Sequence, residues 1–131
     1  MSIRDRVAII TGAGRGVGKA TAHLFAREGA RVVLFSRTPG PLDEATAGIA
    51  LEGGQALSMA GDVSREEDVC ALFQLAMDAF GRVDILVNCA GIVLVRPFVD
   101  MDTETWDRVI AVNLRGTFLC CRQAFGVMKA Q

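Results

Sequence analysis

Apolar residues fall along this chain in two alternating textures, short continuous runs and longer stretches where they recur every three or four positions. The short runs lie at residues 7–10, 31–36, 55–60 and 84–87. Each is too brief for a stable helix and is bounded by glycine or turn residues, so four β-strands are predicted. Residues 7–10 are apolar on both sides of the pleat, the pattern of a central strand covered by helices on both faces, and residues 32–35 are expected to be the buried core of the second. Strands alternating with helical stretches predict βαβ units around a parallel sheet.

The helical stretches carry their own punctuation. In the first, Val17, Thr21, Leu24 and Phe25 form the expected inward stripe, Lys19, His23 and Arg27 a solvated one, and Gly29 the end. The second is expected to start at Pro41 after a Thr38-Pro39-Gly40 turn, to carry Leu42, Ala45 and Ile49 inward, and to stop at Gly53-Gly54. Ser64-Arg65-Glu66-Glu67 reads as a capping box ahead of Val69, Leu72, Phe73, Ala76 and Phe80, with Gly81 as the stop. The acidic cluster Glu66, Glu67 and Asp68 suits a helix start rather than a metal. Asp102-Thr103-Glu104 caps a long last helix whose inward side is expected to be Trp106, Val109, Ile110, Leu114, Phe118, Phe125 and Met128.

Composition narrows the class. With 131 residues, 51% of them hydrophobic, the chain suits one globular domain spanning residues 1–131. Fourteen basic and 15 acidic residues leave a net charge of -1, so no footprint for nucleic acid or anionic membrane is present. No run is long enough to span a bilayer and the first residues lead into a strand, so a cytoplasmic protein is expected. Cys70, Cys89, Cys120 and Cys121 form no CxxC pair, and with one histidine in the chain they read as buried free thiols rather than metal ligands. There is no tyrosine.

The candidate chemistry lies at Thr-Gly-Ala-Gly-Arg-Gly-Val-Gly, residues 11–18, between the first strand and the first helix. Glycines let the backbone turn tightly and approach a ligand, while the helix behind them aims unpaired N–H groups and its positive dipole end at an anion, typically a diphosphate. A P-loop is excluded because Ala13 and Ala20 stand where its first glycine and its hydroxyl residue belong. The GxGxxG pattern fails as well, since Val17 occupies its sixth position.

What fits is Thr-Gly-x-x-x-Gly-x-Gly, carried by Thr11, Gly12, Gly16 and Gly18, followed in order by Asp62-Val63, Asn88-Cys89-Ala90-Gly91 and Val112-Asn113-Leu114-Arg115-Gly116. Together these motifs resemble the short-chain dehydrogenase/reductase family along the whole chain, most of all its 3-oxoacyl-carrier-protein reductase and glucose dehydrogenase branches. The resemblance implies an α/β fold with a Rossmann-type doubly wound parallel sheet, here expected to be truncated after the fourth strand and the following long helix. It implies an oxidoreductase that reduces a carbonyl or oxidises an alcohol by hydride transfer, with a nicotinamide dinucleotide and a small carbonyl or alcohol substrate as partners, in a homo-oligomer. Asp62 is placed by it at the adenine amino group, Val63 beside the ring, and Asn88, Ala90 and Gly91 in the turn beneath the cofactor. Cys89 departs from the second asparagine usual there.

Asn113 sits mid-helix, where asparagine is a poor former. The resemblance implies that it holds a water in the catalytic proton relay; a core asparagine bonding nearby backbone is the competing reading. Cofactor choice rests on the end of the second strand, Ser36-Arg37, where a carboxylate would favour NAD. Arg37, with Arg15 from the glycine turn, suits the extra phosphate of NADP, unless both arginines are ordinary surface charges. NADP(H) is therefore expected over NAD(H). The serine, tyrosine and lysine that the resemblance implies for proton transfer are absent, so this chain is expected to be an inactive fragment. The alternative is a non-catalytic NADP-binding or oligomer-completing module.

Overall fold

Residues 2–131 are described by a computed structural model. Strands form where the short apolar runs lie: β1 (Val7–Thr11), β2 (Arg31–Ser36), β3 (Gln55–Ala60) and β4 (Ile85–Asn88). They make one parallel sheet in the order β3-β2-β1-β4. Thr11 lies opposite both Phe35 and Asn88, so the carboxyl ends of β2, β1 and the edge strand β4 finish level. The chain builds outward from β1 through β2 to β3 and then crosses to the other side of β1, which opens a crevice at the carboxyl end of β1.

Alternate residues of the strands divide between two apolar layers. Ala8, Ile10, Val32 and Leu34 pack under α1 (Gly16–Arg27) and α2 (Pro39–Leu51), whereas Ile9, Val33 and Phe35 pack under α3 (Glu66–Phe80) and α5 (Gly116–Ala130). Helix α3 buries Val69, Leu72, Phe73 and Ala76 and ends on Gly81, as its pattern predicts. Leu42, Ala45 and Ile49 are the buried residues of α2, also as expected. No helix among the described residues is long and apolar enough to cross a membrane.

Several expectations are corrected. Helix α1 turns Gly18, Ala22 and Ala26 inward, while Val17 is 75% and Leu24 53% exposed; only Phe25 of the expected stripe packs against the core. The glycine turn draws this helix so close to β1 that a Cβ on Gly18 would collide with the Gly12 carbonyl, so small residues occupy the contact. His23 is not solvated: its ring lies against Gly48, with Nδ1 3.4 Å from Glu52 Oε1. Helix α2 begins at Pro39 rather than Pro41, because a proline at the first helical position gives up no hydrogen bond. The capping box does not form, since the Ser64 hydroxyl donates instead to Asp62 Oδ1 at 2.7 Å.

The long helix is also rearranged. Asp102 caps α4 (Thr103–Ile110), accepting from the Thr105 N–H at 2.7 Å, and a π-helical turn, Ala111–Arg115, joins α4 to α5. Its buried residues are Val112, Gly116, Leu119, Cys120 and Ala124. Leu114, Phe118 and Phe125 are more than half exposed, as is Trp106, and Ile110 is also exposed; Val109 and Met128 are half-buried. The cause is close approach: a Cβ on Gly116 would stand 2.6 Å from Val63 Cγ2, so the small face of the helix meets the core and the large one turns outward. Of the cysteines only Cys120 is buried, and burial, reinforced by Cys121, pushes its thiol pKa up to about 11; Cys70 and Cys121 are exposed.

Strand β4 starts one residue later than its apolar run suggests because Asp84 has another task. Its carboxylate accepts from the Val7 N–H at 2.9 Å and from Arg82 Nε at 2.8 Å, and it pairs with Arg6 at 3.2 Å. The Arg82 hydrogen bonds, opposed by burial and aided by Val7 and Arg6, hold its pKa at about 2, against 3.8 ordinarily. A depressed folded-state pKa adds stability above the unfolded value that is lost as pH falls toward the folded one. Stability should therefore drop between about pH 4 and pH 2, and Asp84→Asn should flatten that limb while costing about 2 kcal/mol at neutral pH. Urea midpoints measured from pH 2 to 7 for both proteins check this; parallel curves would refute it.

Candidate nucleotide-binding cleft

The carboxyl ends of β1, β2 and β4 and the loop after β3 converge on a cleft of about 510 Å³. Its floor is the glycine turn. Gly12 has φ +64°, and a Cβ there would lie 2.7 Å from the Cys89 carbonyl and the Ala90 nitrogen, so the turn and the loop after β4 touch backbone to backbone. Thr11, buried at the end of β1, accepts the Ala90 N–H on its hydroxyl at 3.1 Å and fixes the same contact. At the start of α1 no side chain caps the first turn, and Gly16, Val17 and Gly18 line the cleft. That leaves N–H donors of a helix N-terminus available to an anion.

The walls come from the neighbouring strands. Ser36, Arg37 and Thr38 leave β2 on one side, and Arg15 rises from the glycine turn on the same cleft. Asp62 and Val63 leave β3 and join the lining, with Ala90 and Gly91 after β4. Burial opposes ionisation of Asp62, yet hydrogen bonds from Ser64 together with the charges of Arg37 and Arg65 outweigh it and hold the carboxyl below its ordinary pKa. At neutral pH the group is a charged acceptor.

Eleven of the expected site residues thus line one cleft: Gly12, Arg15, Gly16, Val17, Gly18, Ser36, Arg37, Asp62, Val63, Ala90 and Gly91. Three stand behind it. Thr11 holds the loop as described, Asn88 donates through Nδ2 to Cys121 Sγ at 3.5 Å, and Asn113 pairs with the backbone of Ile92. The Asn113 amide uses both ends: Oδ1 accepts from Ile92 N–H and Nδ2 donates to Ile92 C=O, each at 2.8 Å. Asn113 lies within the π-turn, so a residue that fits a helix poorly coincides with a break in the helical ladder.

Sequence reasoning missed other lining residues. Gly14 lines the cleft where a Cβ would stand 2.9 Å from Ser36 Oγ, and its place among the glycines is the available signal. Phe35 reads as core by periodicity, although its ring edge also reaches the cleft beside Gly61. Thr38 and Pro41 look like turn chemistry, and Val112 is marked only by its neighbour Asn113. Ile92 carries no signal in the sequence, because its part is played by its main chain.

Comparison with known proteins agrees with this arrangement. Residues 6–131 match the family model described as short chain dehydrogenase. The short-chain reductase protein NovJ of Streptomyces niveus is 43% identical over 117 residues, 89% of this chain and 45% of that protein. A 3-oxoacyl-[acyl-carrier-protein] reductase of Synechocystis is 38% identical over 131 residues, 99% of this chain and 53% of that protein. The crystal structure of a short-chain type dehydrogenase/reductase from Mycobacterium marinum superposes with a TM-score of 0.95 at 34% identity, covering 99% of this chain and 53% of that one. The chain spans about half the length of the curated relatives it matches. With four motifs in register, a parallel sheet opening at its switch point and a family match over nearly all its residues, the chain belongs to the short-chain dehydrogenase family.

Proposed function

We propose that this chain is the nucleotide-binding part of an NADP(H)-dependent oxidoreductase that interconverts a carbonyl and an alcohol. The observation that carries the cofactor choice is the end of β2, where Ser36 and Arg37 line the cleft, no carboxylate follows the strand, and Arg15 stands on the same lining. Guanidinium groups bind a phosphate through charge-assisted, two-pronged hydrogen bonds, whereas a carboxylate there would repel it. The donor set also suits the diphosphate: uncapped N–H groups of α1 and a backbone that only glycine allows to come so close. When bound, the dinucleotide supplies the hydride. The chain's own residues bind and orient it, Asp62 and Val63 at the adenine end and Asn88, Ala90 and Gly91 beneath the nicotinamide end.

Titration calorimetry with NADPH and NADH tests the choice. The expected result is at least about tenfold tighter binding of NADPH, with Arg37→Ala removing most of that margin and leaving NADH unchanged. Tighter binding of NADH would overturn it.

In this reading residues 1–131 are one incomplete domain, and the groups that would protonate the developing alkoxide belong to the longer protein. Asn113 is assigned to that proton relay by the resemblance; both ends of its amide are spent on the Ile92 backbone, as the competing reading expects, so a part in the relay would fall to its main chain in the π-turn. With no tyrosine among its 131 residues, the chain by itself binds without turnover. A second reading, an oligomer-completing module, is favoured by the exposed apolar face of α4 and α5. Both readings include self-association, and both place the cofactor in the same cleft.

A further inference from the structure

Beyond Gly91 and Ile92, which line the cleft, the chain runs out into a loop whose side chains are apolar and uncovered. Val93 and Val95 are 84% and 85% exposed, Leu94 between them is 41% exposed, and Phe98 and Val99 are at 92% and 88%. The backbone that carries them is held at both ends. At one end the Asn113 amide grips the N–H and the C=O of Ile92, each at 2.8 Å. At the other, a 3-10 turn spans Phe98–Asp100, with the Asp100 N–H donating to the Pro97 carbonyl at 3.0 Å, and Asp102 then caps α4. The loop displays these side chains instead of folding them under.

A contiguous exposed apolar set marks a surface made for contact. Its position and its chemistry identify what it meets. Val93 follows the cleft lining directly, at the end of the cleft assigned above to the nicotinamide, from which the hydride leaves. No charged side chain occurs between Asp84 and Arg96, and from Cys89 to Val95 only the Cys89 thiol can form even a weak hydrogen bond. Val17, itself exposed, adds a further apolar side chain to the cleft lining. A substrate hydroxyl laid against these residues would lose its water and gain no partner, whereas a hydrocarbon chain gains by leaving water.

We propose that Val93, Leu94 and Val95, with Phe98 and Val99 beyond them, form the wall for an apolar substrate, so that the site takes a ketone or alcohol bearing a hydrocarbon chain or ring and rejects a polyhydroxylated one such as a sugar. The inference rests on the dinucleotide reading above and adds the substrate class to it. The occupant of the loop is the hydrocarbon part of the substrate, continuous with the cleft in which the cofactor lies.

The test uses the full 131-residue chain saturated with NADPH and reads dissociation constants by saturation-transfer NMR for butanone, hexan-2-one, octan-2-one and dihydroxyacetone. Affinity should rise about twofold per added methylene, roughly half the effect of burying each one completely. Octan-2-one should bind at least about tenfold more tightly than dihydroxyacetone. The double variant Val93→Asp, Val95→Asp should remove most of the chain-length dependence while leaving NADPH affinity and thermal stability unchanged, because neither side chain is buried. No measurable binding of any ketone, equal affinity along the series, or dihydroxyacetone bound as tightly as octan-2-one would overturn the inference. So would the same series measured without NADPH, the mark of a non-specific apolar surface. If a second copy of the chain covers the loop instead, the double variant weakens self-association and leaves the ketone series as it was, which also overturns it. Failure of the chain to bind NADPH would instead overturn the dinucleotide reading, and the inference with it.

Discussion

Gly12→Ala is expected to abolish dinucleotide binding and to destabilise the chain by roughly 3 kcal/mol. Two effects add. A non-glycine residue in the left-handed region, as at φ +64°, costs about 1–2 kcal/mol. The remainder comes from contact, since the new Cβ would stand 2.7 Å from the Cys89 carbonyl and the Ala90 nitrogen, both backbone atoms that cannot swing aside. Relief requires the loop after β4 to move off the end of β1, which breaks the Thr11 bond to Ala90 and reshapes the cleft floor. Gly16→Ala is the control: φ is +57°, but a Cβ there meets nothing within 4 Å, so only the backbone strain applies. Denaturant unfolding and NADPH titration of both variants check the contrast. Equal destabilisation by the two would mean that close approach contributes nothing.

The largest effect on assembly is expected on the outer face of the long helix. Trp106, Ile110, Leu114 and Phe118 recur every four residues and are all exposed. In an α-helix a four-residue step overshoots a full turn by about 40°. The wider π-turn at Ala111–Arg115 winds less per residue and offsets part of that drift, so the stripe stays nearer one face. Burying half-exposed side chains of this size yields about 1–2 kcal/mol each, and a self-associating pair buries both copies' sets. The chain should therefore associate with itself in a concentration-dependent manner. The double variant Leu114→Glu, Phe118→Glu should weaken association at least a hundredfold without lowering thermal stability, because neither side chain supports the core. Sedimentation velocity over a wide concentration range measures both; a chain that stays monomeric at high concentration would refute the reading.

Much of the fold was legible in the sequence where the signal is local. Residues 31–36 and 55–60 are strands with the expected bounds, α3 carries its expected core residues, and Gly81 ends it with φ +72°. The chemistry-bearing loops were legible too, because Thr11–Gly18 residue types, Asp62-Val63 and the Asn88–Gly91 turn each require particular side chains in a particular order. Eleven of the fourteen expected site residues line one cleft. Arg15 and Arg37, 22 positions apart in the chain, meet there only because β1 and β2 are neighbours in the sheet.

Helix facing was misread in α1 and in α4–α5, for one reason. Counting apolar residues assumes that the largest hydrophobic side chains face the core, whereas close approach of backbones rewards the smallest. At Gly18 against Gly12, and at Gly116 against Val63, the helix axis comes too near for a leucine or phenylalanine to fit between. Asp84, Ser64 and Asn113 were misplaced or left open by a related limit. Each spends its polar group on a partner that local pattern does not reveal, Val7, Asp62 or Ile92.

The sequence by itself determined the element types, the parallel sheet and the residues of the glycine turn, because these follow from periodicity, backbone permissiveness and the spacing of a few polar groups. Only the tertiary structure decided which helix faces point inward, that Asp62 is held by Ser64 and Asp68, and that a large apolar stripe of α4 and α5 is left at the surface. Those outcomes depend on distances between backbones far apart in the chain, and a fraction of an ångström there decides whether a side chain packs, bonds or is turned out.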